Sequence, residues 1–298
     1  MKVFLGVPRG FCAGVVRAID IVEVALKKYG APIYVKHQIV HNPHVVSDLE
    51  AKGAITVEDV DEIPEGSRVV FSAHGSPPSD FELAKLRNLE VIDATCPLVI
   101  KVHNEAKKYD REGRKIILVG HRGHQEVKGT MGQTEMELLD DREDFSPIKD
   151  KVNTPVTVLT QTTLSVDDTE ASIKAVQDFY SDVVVRNDLC YATTNRQNAV
   201  KEISEYVELV LVIGAQNSSN CNRLREVAES KGIPAYLINS VKELNSEWMT
   251  DVSNIGITSG ASTPDALVQE VISFINPDEV IPMGGEEENI KFVMPRGL

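Results

Sequence analysis

Apolar runs rich in β-branched and aliphatic residues recur along this chain, each ending in a turn of small or polar residues. KVFLGV, PIYVKHQIV, RVVFSA, KIILVG, VTVLTQ, LVLVIGA and NIGITSG read as buried strands. Between them GVVRAIDIVEVALKKYG, PLVIKVHNEAKKYDREG, NRLREVAESKG and PDALVQEVISFI carry the helical spacing of apolar positions. Three of these end in KKYG, REG or SKG, a cationic last turn followed by a glycine stop. Strands alternating with helices predict parallel sheets with helices on their faces. Residues 276–298 show no clear periodicity and read as a C-terminal arm across the domains, with GGEEEN a solvated turn.

Aligning the strand–turn–helix units reveals a threefold repeat. Cys12, Cys96 and Cys190 each fall where an opening strand passes into a helix, and Pro97 takes the favoured first helical position after Cys96. The next strand of each unit ends in a polar turn: His41 lies 29 residues after Cys12, His124 28 after Cys96, and Ser218 28 after Cys190. The strand after that ends at His74, Thr162 and Ser262, which lie 62, 66 and 72 residues beyond their cysteines. The cysteines are 84 and 94 residues apart, too far for a solenoid repeat. The expectation is α/β architecture in three small pseudo-threefold-related domains, 13–95, 96–189 and 190–275. The N-terminal strand 1–12 is added to the third, and 276–298 is the arm. Ligands of open α/β sheets bind beyond the carboxyl ends of the strands, so nine polar turns would face one centre.

Composition narrows the ligand. The chain has 298 residues, 42% hydrophobic, with 31 Lys and Arg against 45 Asp and Glu, a formal net charge of −14. That acidity argues against nucleic acid or a membrane surface as partner. It leaves room for a small anion held by histidines and backbone amides. The opening MKVFLGVPRGFC is broken by Pro8 and Gly10 too early for a secretory signal, and no apolar run approaches the roughly 20 residues of a membrane span. A soluble cytoplasmic protein is expected.

The four cysteines form no CxxC pair, and structural disulfides are not expected in a reducing compartment. A thiol at a helix N-terminus is favoured as thiolate. Three single thiolates from three domains suit zinc or, better, an iron–sulfur cluster touched from three sides. A 4Fe–4S cluster held by Cys12, Cys96 and Cys190 leaves one iron open. A lone cysteine is more often plain core, and Cys221, off the repeat, reads as structural. Likewise His37, His44, His103 and His121 read as ordinary histidines, while the shared slot sets His41, His74 and His124 apart as donors to an anionic oxygen. Ser218, Ser219 and Asn220 in AQNSSNCNRL, and Ser262 in SGASTPD, would each alone be explained by helix capping. Together with the histidines they suggest a phosphate or diphosphate cradle. No P-loop or strand-borne GxGxxG is present, so a nucleotide is not indicated. Glu126, the sole carboxylate of GHQEVKG, could serve as a general acid, with Thr162 or Thr163 relaying a proton.

The segments GFCAGVVRAI, HQIVHNPHVV, FSAHGSPP, DATCPLV, GHQEVKGTMGQT, TQTTLSVDDT, CYATTNRQ, NSSNCNRL and TSGASTPD resemble the motif set of the 4-hydroxy-3-methylbut-2-enyl diphosphate reductase family, also called IspH or LytB. The resemblance covers nearly the whole chain. It implies a trefoil of three α/β domains around a 4Fe–4S cluster ligated by Cys12, Cys96 and Cys190. It assigns His41, His74, His124, Ser218, Ser219, Asn220 and Ser262 to the diphosphate. Glu126 becomes the proton donor, with Thr162 at the substrate hydroxyl and Thr163 adjacent to it. Cys221 stands where a small polar residue such as serine is expected. The implied reaction is the last step of the non-mevalonate isoprenoid pathway. Substrate oxygen binds the open iron, and two electrons and two protons remove it as water, giving isopentenyl and dimethylallyl diphosphate. An external donor such as ferredoxin or flavodoxin is implied, since no flavin or nicotinamide motif is visible.

The sequence is compatible with three rival readings. A cluster-bearing hydro-lyase would need no electron donor. An iron–sulfur sensor would bind a phosphorylated metabolite without turnover. A zinc protein would be colourless.

Overall fold

The computed structural model describes residues 1–140, 142–143, 153–285 and 288–298. In chain order the first third runs β1 (Lys2–Val7), α1 (Ala13–Tyr29), β2 (Ile33–Lys36), α2 (Pro43–Ala51), β3 (Ala54–Val57), β4 (Arg68–Phe71), α3 (Pro78–Leu86) and β5 (Glu90–Asp93). Then come α4 (Pro97–Arg111), β6 (Lys115–Val119), α5 (Gln125–Met131), β7 (Glu137–Leu139), β8 (Val156–Thr160), α6 (Val166–Phe179) and β9 (Val183–Val185). The last third runs α7 (Tyr191–Ile203), β10 (Leu209–Ile213), α8 (Ser219–Ser230), β11 (Ala235–Ile238), β12 (Asn254–Ser259), α9 (Asp265–Ile275) and β13 (Glu279–Gly284).

The strands form three sheets: β11-β10-β12-β1-β13, β3-β2-β4-β5 and β7-β6-β8-β9. Every pairing in them is parallel. The chain divides into two compact units. One comprises Met1–Val15, His41–Val45 and Cys190–Lys291, the other Val16–Val40, Val46–Leu189 and Phe292–Leu298.

The first unit holds the five-stranded sheet. Strand alternation distributes its core between two faces. Phe4, Val210 and Val212 pack with Val200 and Ile203 of α7 and with Leu224 and Val227 of α8. Val3, Leu5, Leu209, Leu211 and Ile213 turn the other way, onto Leu267, Val268 and Val271 of α9. The arm supplies β13, which pairs with β1 from Lys2↔Glu279 to Val7↔Gly284. As an edge strand β13 is half exposed and carries Pro282, so its sequence lacks the alternation of a buried strand. Of the GGEEEN stretch, Glu286 and Glu287 lie outside the described residues. Glu288 is not solvated but nearly buried, in an ion pair with Arg196.

The second unit holds both four-stranded sheets. Ile116 and Leu118 of β6 meet Val102, Ala106 and Tyr109 of α4. Ile117 and Val119 face Ile173, Val176 and Phe179 of α6. The sheet containing β4 is covered by a smaller cluster of Ile63, Val69, Phe71, Ala84 and Leu89. No helix among the described residues is long and apolar enough to cross a membrane.

Candidate functional site

All nine turn residues follow the carboxyl ends of strands. Cys12 comes after β1, His41 after β2, His74 after β4, Cys96 after β5, His124 after β6, Thr162 after β8, Cys190 after β9, Ser218 after β10 and Ser262 after β12. Cys12, Cys96 and Cys190 each immediately precede a helix.

In the second unit Glu126 is the centre of a tight hydrogen-bond set. The GHQEVKG stretch is not an open loop: it forms α5, with His124 as N-cap. His124 Nδ1 accepts from the Glu126 amide at 3.2 Å. Thr162 donates twice to the Glu126 carboxyl group, from its amide to Oε1 at 2.7 Å and from its hydroxyl to Oε2 at 2.9 Å. Burial pushes the Glu126 pKa up to about 7, against the pull of the two Thr162 bonds, and the charge of Asp188 pushes the same way. A carboxyl group poised there can hold or give a proton near neutral pH.

The turns of His74 and His124 lie beside it. The rings of His74 and His124 stand edge to face with centroids 6.2 Å apart. Glycines permit this approach. A Cβ on Gly129 of α5 would lie 2.8 Å from the carbonyl oxygen of Gly75, the residue after His74. The Cys96 amide donates to the Ala73 carbonyl at 3.0 Å, which ties the cysteine turn to the same histidine turn. Thr163 accepts from Gln161 Nε2 at 2.9 Å, and Gln161 Oε1 receives the His121 amide at 3.0 Å, so His121 enters this network through its backbone.

The first unit groups Cys12, Cys190, His41 and the serine turns. The Cys12 amide donates to the Ala261 carbonyl at 3.1 Å, linking that cysteine to the turn of Ser262. Cys190 caps α7, its Sγ accepting from the Thr193 amide at 3.3 Å and lying 3.1 Å from the Thr193 hydroxyl. Ser262 Oγ donates to the His41 carbonyl at 3.1 Å. Ser218 caps α8, accepting from the Cys221 amide at 3.3 Å, and Ser219 opens that helix. Asn220 spends its Oδ1 on the Ala261 amide at 3.0 Å, while its buried Nδ2 has no acceptor among the described residues. A donor in that position suits an anionic oxygen supplied by a ligand.

The donor set fits an iron–sulfur cluster. Cys12, Cys96 and Cys190 are partly exposed at helix starts, and no disulfide joins the cysteines. Burial pushes the Cys12 thiol up, against the pull of the Val15 and Gly14 amides and of Arg196, so at Cys12 it is a bound cation that would favour the thiolate. Cys221 does not fit. It is fully buried in the core, so close to Gly214 and Gly260 that a Cβ on either would stand 2.2 Å from its Sγ.

Three residues near these turns were not singled out by the repeat. His37, read as an ordinary histidine, lies edge-on to His74 with centroids 5.5 Å apart. Asp188 is buried, bonded to Lys101 Nζ at 2.9 Å, and its own pKa is raised by that burial. Arg196 is fully buried in α7. His37 opens HQIVHNPHVV and Arg196 falls within CYATTNRQ, whereas Asp188 stands two residues before Cys190; a lone charge beside an otherwise apolar or small-residue stretch marks a buried partner.

Comparison with known proteins gives concordant matches. The family profile described as LytB protein matches residues 3–276. A protein of Bradyrhizobium diazoefficiens called 4-hydroxy-3-methylbut-2-enyl diphosphate reductase 2 is 51% identical over 305 aligned positions, covering 100% of this chain and 99% of that protein. The solved structure of the E-1-hydroxy-2-methyl-but-2-enyl-4-diphosphate reductase from Plasmodium falciparum superposes with a TM-score of 0.92 at 36% identity, covering 99% of this chain and 96% of that one. A second solved structure, titled (E)-4-hydroxy-3-methyl-but-2-enyl diphosphate reductase, the terminal enzyme of the non-mevalonate pathway, matches with a TM-score of 0.64. It is 31% identical and covers 92% of this chain and 99% of that one.

Proposed function

The chain belongs to the LytB protein family, and from that membership we infer that it catalyses the reductive removal of the hydroxyl of 4-hydroxy-3-methylbut-2-enyl diphosphate, the last step of the non-mevalonate isoprenoid pathway. The products are isopentenyl and dimethylallyl diphosphate. One substrate, two electrons and two protons give one product and one water.

Cys12, Cys96 and Cys190 would hold a 4Fe–4S cluster as thiolates. When bound, that cluster supplies the electrons and an electrophilic iron. The rest of the chemistry falls to the chain. His41, His74, His124, Ser218, Ser219, Asn220 and Ser262 bind the diphosphate through imidazole, hydroxyl, amide and helix N-terminal donors. That anchor orients the reacting carbon–oxygen bond. Glu126 holds the proton that the departing oxygen needs, and Thr162 fixes the carboxyl group by two hydrogen bonds. A cytoplasmic ferredoxin or flavodoxin delivers the electrons.

The observation that carries the reading is the buried Glu126, held by two bonds from Thr162 beside the His74 and His124 turns, with its pKa lifted to about 7. The test is anaerobic turnover with reduced viologen and the diphosphate substrate, with products identified by chromatography. Oxidation of two viologens per product is expected. Release of water without viologen oxidation would instead identify a hydro-lyase. Tight binding with no product would identify a sensor.

A further inference from the structure

Among the described residues Arg196 is the largest side chain that is fully buried, and the site described above gives it no task. It sits in the second turn of α7, five residues after the helix begins. Its guanidinium connects three separate stretches of the first unit. Nη2 donates to the Gly10 carbonyl at 2.8 Å. Nη1 donates to the Ala192 carbonyl at 3.0 Å and to both carboxylate oxygens of Glu288 at 3.1 Å. Glu288, on the arm beyond β13, also accepts from Asn195 Nδ2 at 3.0 Å.

Gly10 lies two residues before Cys12, and Ala192 two residues after Cys190. Gly10 adopts φ +67°, which glycine reaches without steric cost but, lacking a side chain, holds only as firmly as its hydrogen bonds allow. Its amide is held by Ser259 Oγ at 2.9 Å and its carbonyl by Arg196. A second link runs the same way: the Ala13 amide donates to the Tyr191 hydroxyl at 3.2 Å, so the residue after Cys12 is tied to the residue after Cys190. A buried guanidinium is tolerated only when its charge is matched. Glu288 provides the match, with a side chain only 10% exposed.

We propose that Arg196, neutralised by Glu288 of the C-terminal arm, is the positioning residue that fastens the Cys12 turn to the Cys190 helix start, so that the two thiolates are presented together to their common group. This rests on the cluster reading above. A core arginine serving only packing would have no need to bridge two cysteine turns. The arm thus takes part in cluster retention although it carries no ligand.

The test uses the full chain, prepared without air, with Arg196→Gln and Glu288→Gln. In wild type, iron and acid-labile sulfide decide the cluster reading by themselves: their absence sinks that reading, whatever the variants do. With the cluster present, Arg196→Gln is expected to lose most iron and sulfide. In the cluster-free protein its Cys12 should react severalfold faster with iodoacetamide, measured by peptide mass spectrometry, while Cys96 reacts at the wild-type rate. Glu288→Gln keeps the shape of the pair but leaves a positive charge uncompensated, which should favour the reduced cluster and raise its midpoint potential. Normal cluster content and unchanged Cys12 reactivity in Arg196→Gln would overturn the proposal. If Arg196→Gln does not fold, Glu288→Gln decides, and an unaltered potential together with unaltered Cys12 reactivity overturns it.

Discussion

Glu126 is the candidate acid of the site, and its chemistry follows from burial. A carboxyl group taken from water is favoured neutral, and the Thr162 amide and hydroxyl pull the other way without cancelling that effect. If the protonated form is the active one, turnover falls as pH rises through about 7. Thr162→Val removes one of the two bonds that lower the pKa, so the fall moves to higher pH, measured as kcat against pH in anaerobic assays. The same group leaves a mark on stability. Its folded pKa lies above its unfolded one, so the folded state binds the proton more tightly and loses stability as pH rises from the ordinary carboxylate range to about 7. Glu126→Gln escapes that loss, because the Thr162 hydroxyl can turn to accept from the new amide while the Thr162 amide still donates. Melting temperatures of the cluster-free proteins are expected to diverge in favour of Glu126→Gln between pH 5 and pH 8. At residue scale the candidate set was legible in the sequence wherever three repeats put polar residues in one slot. His37 and Arg196 were not, because their roles depend on contacts with segments far off in sequence or on another strand end.

At the scale of elements, strands and their polar ends were legible because buried parallel strands are short apolar runs with abrupt stops. β13 escaped that logic as a half-exposed edge strand containing a proline. α5 escaped it too, since its seven residues, QEVKGTM, are too few to show helical periodicity and include a glycine. That glycine earns its place by contact: Gly129 lets α5 lie against the Gly75 carbonyl. Gly129→Ala forces a methyl group into backbone that cannot swing aside. A destabilisation of about 1–3 kcal/mol is expected by denaturant titration. Because the displaced turn carries His74, KM for the diphosphate substrate should rise more than kcat falls.

For the whole molecule, three parallel sheets each carry hydrophobic clusters independent of the cysteine turns. The threefold repeat was readable because the offset from cysteine to the first polar turn is 29, 28 and 28 residues while the intervening sequence varies. The division into two compact units was not, since it groups His41–Val45 with Cys190–Lys291, a pairing no local pattern announces. Three equivalent cysteines, and not the fourth, are proposed to hold one iron–sulfur cluster. The most direct measurement is iron, zinc and acid-labile sulfide per chain in protein prepared without air, for wild type and for alanine at each cysteine. About four irons and four sulfides are predicted for wild type and Cys221→Ala, with loss of both in the Cys12, Cys96 and Cys190 variants while far-UV circular dichroism stays unchanged. Zinc in place of iron, or a cluster that survives removal of any of the three, would contradict it.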